Sequence, residues 1–231
     1  MTEAGIKEMR EAGHYPTVTS VIGCLANPFL ERWKQRNAVS LALELGPEDR
    51  EGEPKEVVSQ VLDASRQIGI DAATRGTEIH DGAEKIMRGE EWNDADPQLV
   101  ALNEWAKANI TRVDFTEEVL IDRELGVGGT CDLKAEHQKH GTCVFDYKSQ
   151  NCKSGPNGKP RANFYPSFVL QLSEYASIVG DGIPVVSVIV DKNTPTIFEK
   201  RWPDEQVAAA LKAFKSLHQL WCWQHNYYPG E

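Results

Sequence analysis

The sequence predicts an α/β fold: a mixed central sheet with flanking helices and a helical N-terminal cap. Three observations lead there. Up to about residue 112 the apolar positions recur mostly at three and four, the period of helices. From residue 113 the pattern shifts to short β-branched runs parted by glycine or charged turns. A helical stretch then separates three strand-like runs from two more, and a long amphipathic segment closes the chain.

Each element follows in order. Residues 1–15 read as a polar lead-in. TVTSVIGCLANPFLERW starts a helix capped by Thr19 or Ser20, interrupted at Asn27-Pro28 and resumed over 29–44. The charged, Gly- and Pro-containing stretch 46–56 is a connector. VVSQVLDASRQIGIDAATRGTEIHDGAEKIMRGE gives one or two helices, and 97–110 a further short one. VDFTEEVLID, VGGTCDLKAEH and GTCVFDYKS are strands, SFVLQLSEYASIVG a helix, VVSVIVDKN and TIFEKRW strands. The order from 113 is thus β-β-β-α-β-β-α. A single domain is expected over 1–231, with 1–112 mainly helical and 113–231 the α/β core.

Bulk properties narrow the classes. At 40% hydrophobic and 26% charged residues the composition is that of an ordinary globular chain. No apolar run approaches the ~20 residues of a membrane span, and the charged N-terminus lacks a secretory h-region, so a cytoplasmic protein is expected. Five scattered cysteines, with no C-x-x-C pair, argue against a zinc ribbon, a thioredoxin motif or a disulfide scaffold. The net charge of -10 is unusual for a nucleic-acid enzyme, but binding needs only a local basic path, and bound cations reverse the sign of a carboxylate site.

The chemistry gathers on four pieces: GGTCDL ending near Asp132, FDYKS with Asp146 and Lys148, QLSEY with Gln171 and Tyr175, and RGTEIH with His80. Residues at i and i+2 of a strand share a face, so Asp146 and Lys148 project together. If the two strands form an antiparallel hairpin, Asp132 comes near Asp146. Two such carboxylates repel unless a cation neutralises them, and hard oxygen ligands suit Mg²⁺ or Mn²⁺. Lys148 could orient or deprotonate a water, or stabilise a phosphate in the transition state. Gln171 and Tyr175, four apart, share a helical face.

Taken together, RGTEIH, TEEVLI, GGTCD, DYKS and QLSEY resemble, in order, the motifs of the RecB-type branch of the PD-(D/E)XK nucleases. That branch includes single-domain phage exonucleases and the mitochondrial genome-maintenance exonuclease. The likeness runs from about residue 15 to 180. It implies a restriction-endonuclease-like core and a metal-dependent DNA exonuclease, expected in phage or bacterial replication, recombination or repair. Carried over, His80, Asp132, Asp146 and the carbonyl of Tyr147 would bind one or two Mg²⁺ or Mn²⁺ ions. Lys148, Glu117, Gln171 and Tyr175 would complete the catalytic set, with Arg75 and Ser149 at the DNA backbone. Some relatives add an iron–sulfur cluster, but this chain lacks a closely spaced cysteine trio, so no cluster is expected.

Past the catalytic strand, KSQNCKSGPNGKPR holds Lys153, Lys159 and Arg161 and no acid, a loop suited to gripping phosphates. Trp33 and Phe164 are candidates to stack on unpaired bases. The rival expectations are an endonuclease using the same chemistry, a DNA-binding module without catalysis, and a metal-dependent hydrolase acting on something other than nucleic acid.

Overall fold

The structure, a computed structural model, describes residues 15–26, 28–46, 53–155 and 158–228. The expected lead-in before Tyr15 and residues 47–52 of the expected connector lie outside the described residues. The chain divides into two compact units, Leu25–Glu78 and the remainder.

The Leu25–Glu78 unit is helical. After α1 (Val18–Ile22) of the larger unit it contributes α2 (Pro28–Glu44) and the first part of α3 (Pro54–Arg88). The stretch expected to give one or two helices is a single helix of 35 residues.

The larger unit begins with α1, whose cap is Thr17 rather than Thr19 or Ser20. The Thr17 hydroxyl accepts the Ser20 N–H at 3.0 Å, because Val18 and Val21 must both turn inward and the helix starts early enough to place them. The end of α3 belongs here too. Ile79, Gly82 and Ala83 form its buried stripe, spaced as a helix face requires. Next comes α4 (Pro97–Asn109), opened by an Asp96 cap and proline at its first turn.

Five strands build the main sheet: β1 (Ile110–Asp122), β2 (Val127–His137), β3 (Gly141–Gln150), β6 (Val185–Asp191) and β7 (Ile197–Arg201), in the order β1-β2-β3-β6-β7. All neighbours are antiparallel except β3 and β6. That parallel pair is joined across α5 (Pro166–Val179), as a parallel connection requires. Every residue of β6 is buried, which is why VVSVIVD reads as a continuous apolar run. The last helix is α6 (Asp204–His225). This is a mixed α/β fold, a five-stranded mixed sheet flanked by helices. No described helix is long and apolar enough to cross a membrane.

Two further expectations are corrected. The first strand begins at Ile110, not 113, because Ile110-Thr111-Arg112-Val113 already favours extended backbone. The region after Lys148 is not all loop: β3 runs on to Gln150, and β4 (Lys153–Ser154) pairs with β5 (Pro160–Arg161) as a small antiparallel ribbon.

Two apolar clusters line the sheet. One joins Val18, Val21, Val127, Cys131, Val144, Leu172, Phe214 and Trp221, from α1, α5, α6 and the strands. The other joins Ile79, Ala83, Leu99, Leu102, Leu133, Ala135, Phe145 and Tyr147 with α3 and α4. Along β2 the odd positions Val127 and Cys131 belong to the first cluster, but Leu133 and Ala135 to the second. Alternate residues of a regular strand share one face. The hairpin therefore passes from one face to the other between Cys131 and Leu133, at Asp132.

Candidate metal centre

The residue facing this crossing on β1 is Glu117. The register pairs Thr116 with Leu133 and Glu118 with Cys131, which sets Glu117 opposite Asp132. Glu117 has φ 48°, the left-handed region that costs a residue with a Cβ about 1–2 kcal/mol. The irregular backbone turns the strand and leaves Glu118 exposed and Glu117 half-buried, so Glu117 rather than Glu118 faces Asp132.

From α3, His80 reaches the same point. Its Nδ1 lies 3.5 Å from Asp132 Oδ2 and 3.7 Å from Glu117 Oε1. Ligand atoms of His80, Glu117 and Asp132 all fall within 4.8 Å of one another. Asp132 is held by β3: its Oδ2 accepts the Tyr147 N–H at 2.7 Å. Asp146 is buried. Its Oδ1 accepts from the Lys148 ammonium, and its Oδ2 has no hydrogen-bond partner.

Electrostatics follow from this crowding. Burial, then the nearby Asp146 charge, push the Asp132 carboxyl up to about 7. Burial alone would lower the His80 imidazole, but Glu117 and Asp132 outweigh it and raise it. Burial likewise works against the Lys148 ammonium, while Asp146, Asp132 and Glu117 reverse the balance and raise it. Three carboxylates (Glu117, Asp132, Asp146) thus face one lysine. The donor set of two carboxylates and one imidazole from His80, Glu117 and Asp132 fits a metal ion, and the buried Asp146 beside it leaves one carboxylate oxygen unpaired.

Not all expected ligands and partners meet in the same way. Glu117, expected in the catalytic set, joins His80 and Asp132 as a third potential ligand, whereas Asp146 sits outside that close trio. Tyr147 turns its ring into the second cluster, edge-on to His80 at 6.2 Å. Tyr175 is buried, and the phenol oxygen stands where a Cβ on Gly129 would lie only 2.4 Å away. The second glycine of VGGT is therefore imposed by Tyr175, which makes the tyrosine a packing element beside the site. Gln171 lies one helical turn before it on α5, near enough to act on that phenol. Arg75 belongs to the Leu25–Glu78 unit, where it pairs with Glu78 at 3.0 Å. Ser149 is half-buried on β3, while Lys153, Lys159 and Arg161 are exposed on the ribbon and its turn. Of the two aromatic candidates, Phe164 packs edge-on to Trp202, and Trp33 lies on α2.

Glu174 is not among the residues that the sequence singles out. It is fully buried on α5, four residues after Leu170 and one before Tyr175, and this apolar stripe is the signal that could have found it.

His137, His140 and Glu199 form a second cluster of ligating types. The His137 Nδ1 accepts the Lys139 N–H at 3.0 Å, which places the ring proton on Nε2. That nitrogen faces Glu199 Oε1 at 3.3 Å, and the other Glu199 oxygen accepts the Trp105 indole N–H at 2.8 Å. A metal at Nε2 would need the opposite tautomer. The group is a polar brace between the β2–β3 turn, β7 and α4.

The chain matches no protein-family model and no curated protein. Among solved structures it is similar to "Crystal structure of SSO0001", with 13% identity, 84% of this chain and 88% of that chain covered, and a TM-score of 0.32. So slight a likeness carries no argument.

Proposed function

We propose that this chain is a metal-dependent deoxyribonuclease with a PD-(D/E)XK-type core, hydrolysing DNA phosphodiesters from an end. The observation that supports it is the convergence of His80, Glu117 and Asp132 beside the Asp146–Lys148 pair. His80, Glu117, Asp132 and Asp146, with the Tyr147 carbonyl, are the groups that would hold one or two Mg²⁺ or Mn²⁺ ions. A bound ion supplies an activated water at neutral pH and offsets charge growing on the phosphate.

The protein's own groups have separate tasks. Asp146 fixes the Lys148 ammonium, whose side chain keeps a quarter of its surface open. It can therefore meet a phosphate oxygen or the attacking water. The Tyr147 N–H locks one oxygen of Asp132 and so orients the carboxylate. Tyr175, with Gln171 one turn back on α5, packs its phenol against the Gly129 segment that leads into Asp132. Exposed Lys153, Lys159 and Arg161 offer phosphate contacts on the ribbon that follows Lys148.

Digestion of end-labelled linear and closed-circular DNA, single- and double-stranded, with Mg²⁺, Mn²⁺ or EDTA, tests this. Loss of linear DNA alone is expected, abolished by EDTA and reduced at least a hundredfold by Lys148→Ala, on the order of the loss of one charge-stabilising group. Cutting of circles would replace the exonuclease with an endonuclease of the same chemistry. DNA bound but never cut would replace it with a binding module.

A further inference from the structure

The entry to α5 carries an aromatic pair that the catalytic reading leaves unused. Tyr165 is the N-cap residue, followed by Pro166 at the first helical position, and its side chain makes no capping bond. It is 39% exposed. Its ring stands edge-on to Phe168, 5.4 Å between centroids at 90°. Phe168 in turn lies under the Lys148 ammonium, 5.8 Å from the ring centroid. An exposed aromatic ring is thus linked through one neighbour to the lysine beside the carboxylates.

The position of this pair is set by backbone-like bonds. The Gln150 side chain donates to the Asn163 carbonyl at 2.7 Å and accepts the Asn163 N–H at 2.9 Å. This reciprocal clamp ties the end of β3, two residues beyond Lys148, to the segment that presents Tyr165. Asp191, at the end of β6, braces the same region by accepting the Cys152 N–H at 3.0 Å. Other aromatic rings nearby are engaged: Phe164 packs against Trp202, and the Lys200 ammonium covers Trp202 at 3.5 Å.

We infer that Tyr165, backed by Phe168, is a seat for an unpaired nucleobase of the strand whose phosphate meets Lys148. The inference rests on the deoxyribonuclease reading and names its substrate class. A base inside a duplex has both faces covered by its neighbours, so the seat favours single strands and strand ends. Stacking on an aromatic ring tolerates any base, so the selection is for strandedness and not for sequence.

The test uses single-stranded oligonucleotides, either intact or abasic at the terminal nucleotides, with binding followed by fluorescence anisotropy in Ca²⁺ and cleavage followed in Mn²⁺. Tyr165→Ala is expected to weaken binding of the intact strand, and raise its KM, by roughly fivefold to a hundredfold. Tyr165→Phe should retain most of the affinity, because the ring persists. The abasic strand should bind wild type and Tyr165→Ala alike. Equal losses on intact and abasic strands, or no loss at all, would overturn the seat. If cleavage proceeds and depends on Lys148 while Tyr165→Ala is silent, the seat fails and the nuclease reading stands. Base-dependent binding without any metal-dependent cleavage would do the reverse.

Discussion

Replacing Glu174 with glutamine gives a pH-dependent gain in stability whose size can be worked out. Glu174 is fully buried, and neither carboxyl oxygen has a hydrogen-bond partner. The acid whose charge acts on it is Asp122, whose carboxylate already accepts the N–H groups of Glu124 and Leu125 at 2.8 Å each. Burial, then the Asp122 charge, raise the Glu174 carboxyl from its ordinary 4.5 to about 7. Between those values the folded chain keeps a proton that the unfolded chain has released, so stability falls as pH rises through the window. At ~1.36 kcal/mol per pKa unit, the full loss above pH 7 is about 3 kcal/mol. Glutamine is neutral throughout, as the protonated acid is, and of nearly the same size. Urea unfolding of both proteins, in EDTA, should therefore show a stability gap near zero around pH 4.5 that grows to about 3 kcal/mol by about pH 8. Asp132 also titrates here, but it is common to both proteins and cancels in the difference. A gap that does not change with pH would refute the reasoning.

Three further outcomes are expected. Glu117→Gly should stabilise the metal-free protein by up to about 1 kcal/mol, because glycine relieves the left-handed backbone, yet abolish Mn²⁺-dependent cleavage. A lower melting temperature in EDTA would refute the strain. Gly129→Ala should cost roughly 1–3 kcal/mol through overlap with the Tyr175 phenol. Tyr175→Phe should recover much of that loss in a double-mutant cycle, and additive losses would separate the two residues. Alanine at Lys153, Lys159 and Arg161 together should weaken single-strand binding and lower the slope of log K against log salt by roughly 0.7 for each phosphate no longer neutralised. An unchanged slope would remove the ribbon from the DNA path.

The parts of this molecule that can be read from the sequence are those governed by local periodicity. β6 is apolar at nearly every position because both faces are covered, and the alternation of FDYKS forecasts that Asp146 and Lys148 share a face. The β-β-β-α-β-β-α order follows from such runs. Long-range pairing is less legible. The glycine at 129 answers to Tyr175, 46 residues away, since 175 − 129 = 46. Glu117 is assigned from sequence only by its distance from Asp132, because period two says nothing of a left-handed residue within a strand. Glu174 reads by residue type as one more helix-surface acid, because burying a carboxyl incurs a desolvation cost, and only its place on the apolar stripe of α5 marks it otherwise. The separate Leu25–Glu78 unit leaves no sign in the sequence because α3 runs through its boundary without a break in helical pattern.

The position of the carboxylates within the sheet bears on how such a centre is maintained. Side chains of a regular hairpin project to one face or the other, and acids brought together there would be either solvated or enclosed in a single apolar layer. Here the hairpin changes face at Glu117 and Asp132, so the two acids sit where the two apolar clusters meet. His80 reaches them from the α3 side, while Lys148 lies over Phe168 on the α5 side. The left-handed backbone at Glu117 is thus what lets one carboxylate group be served from both layers. Its cost of about 1–2 kcal/mol is small beside the stabilisation of a folded domain. A strained residue persists when its surroundings over-determine it, and the Asp132 bond to the Tyr147 N–H together with the β1–β2 ladder on either side supplies that constraint. Regularising the strand at Glu117 would move its carboxylate off Asp132 and His80, so local stability and the ligand geometry oppose each other at this residue.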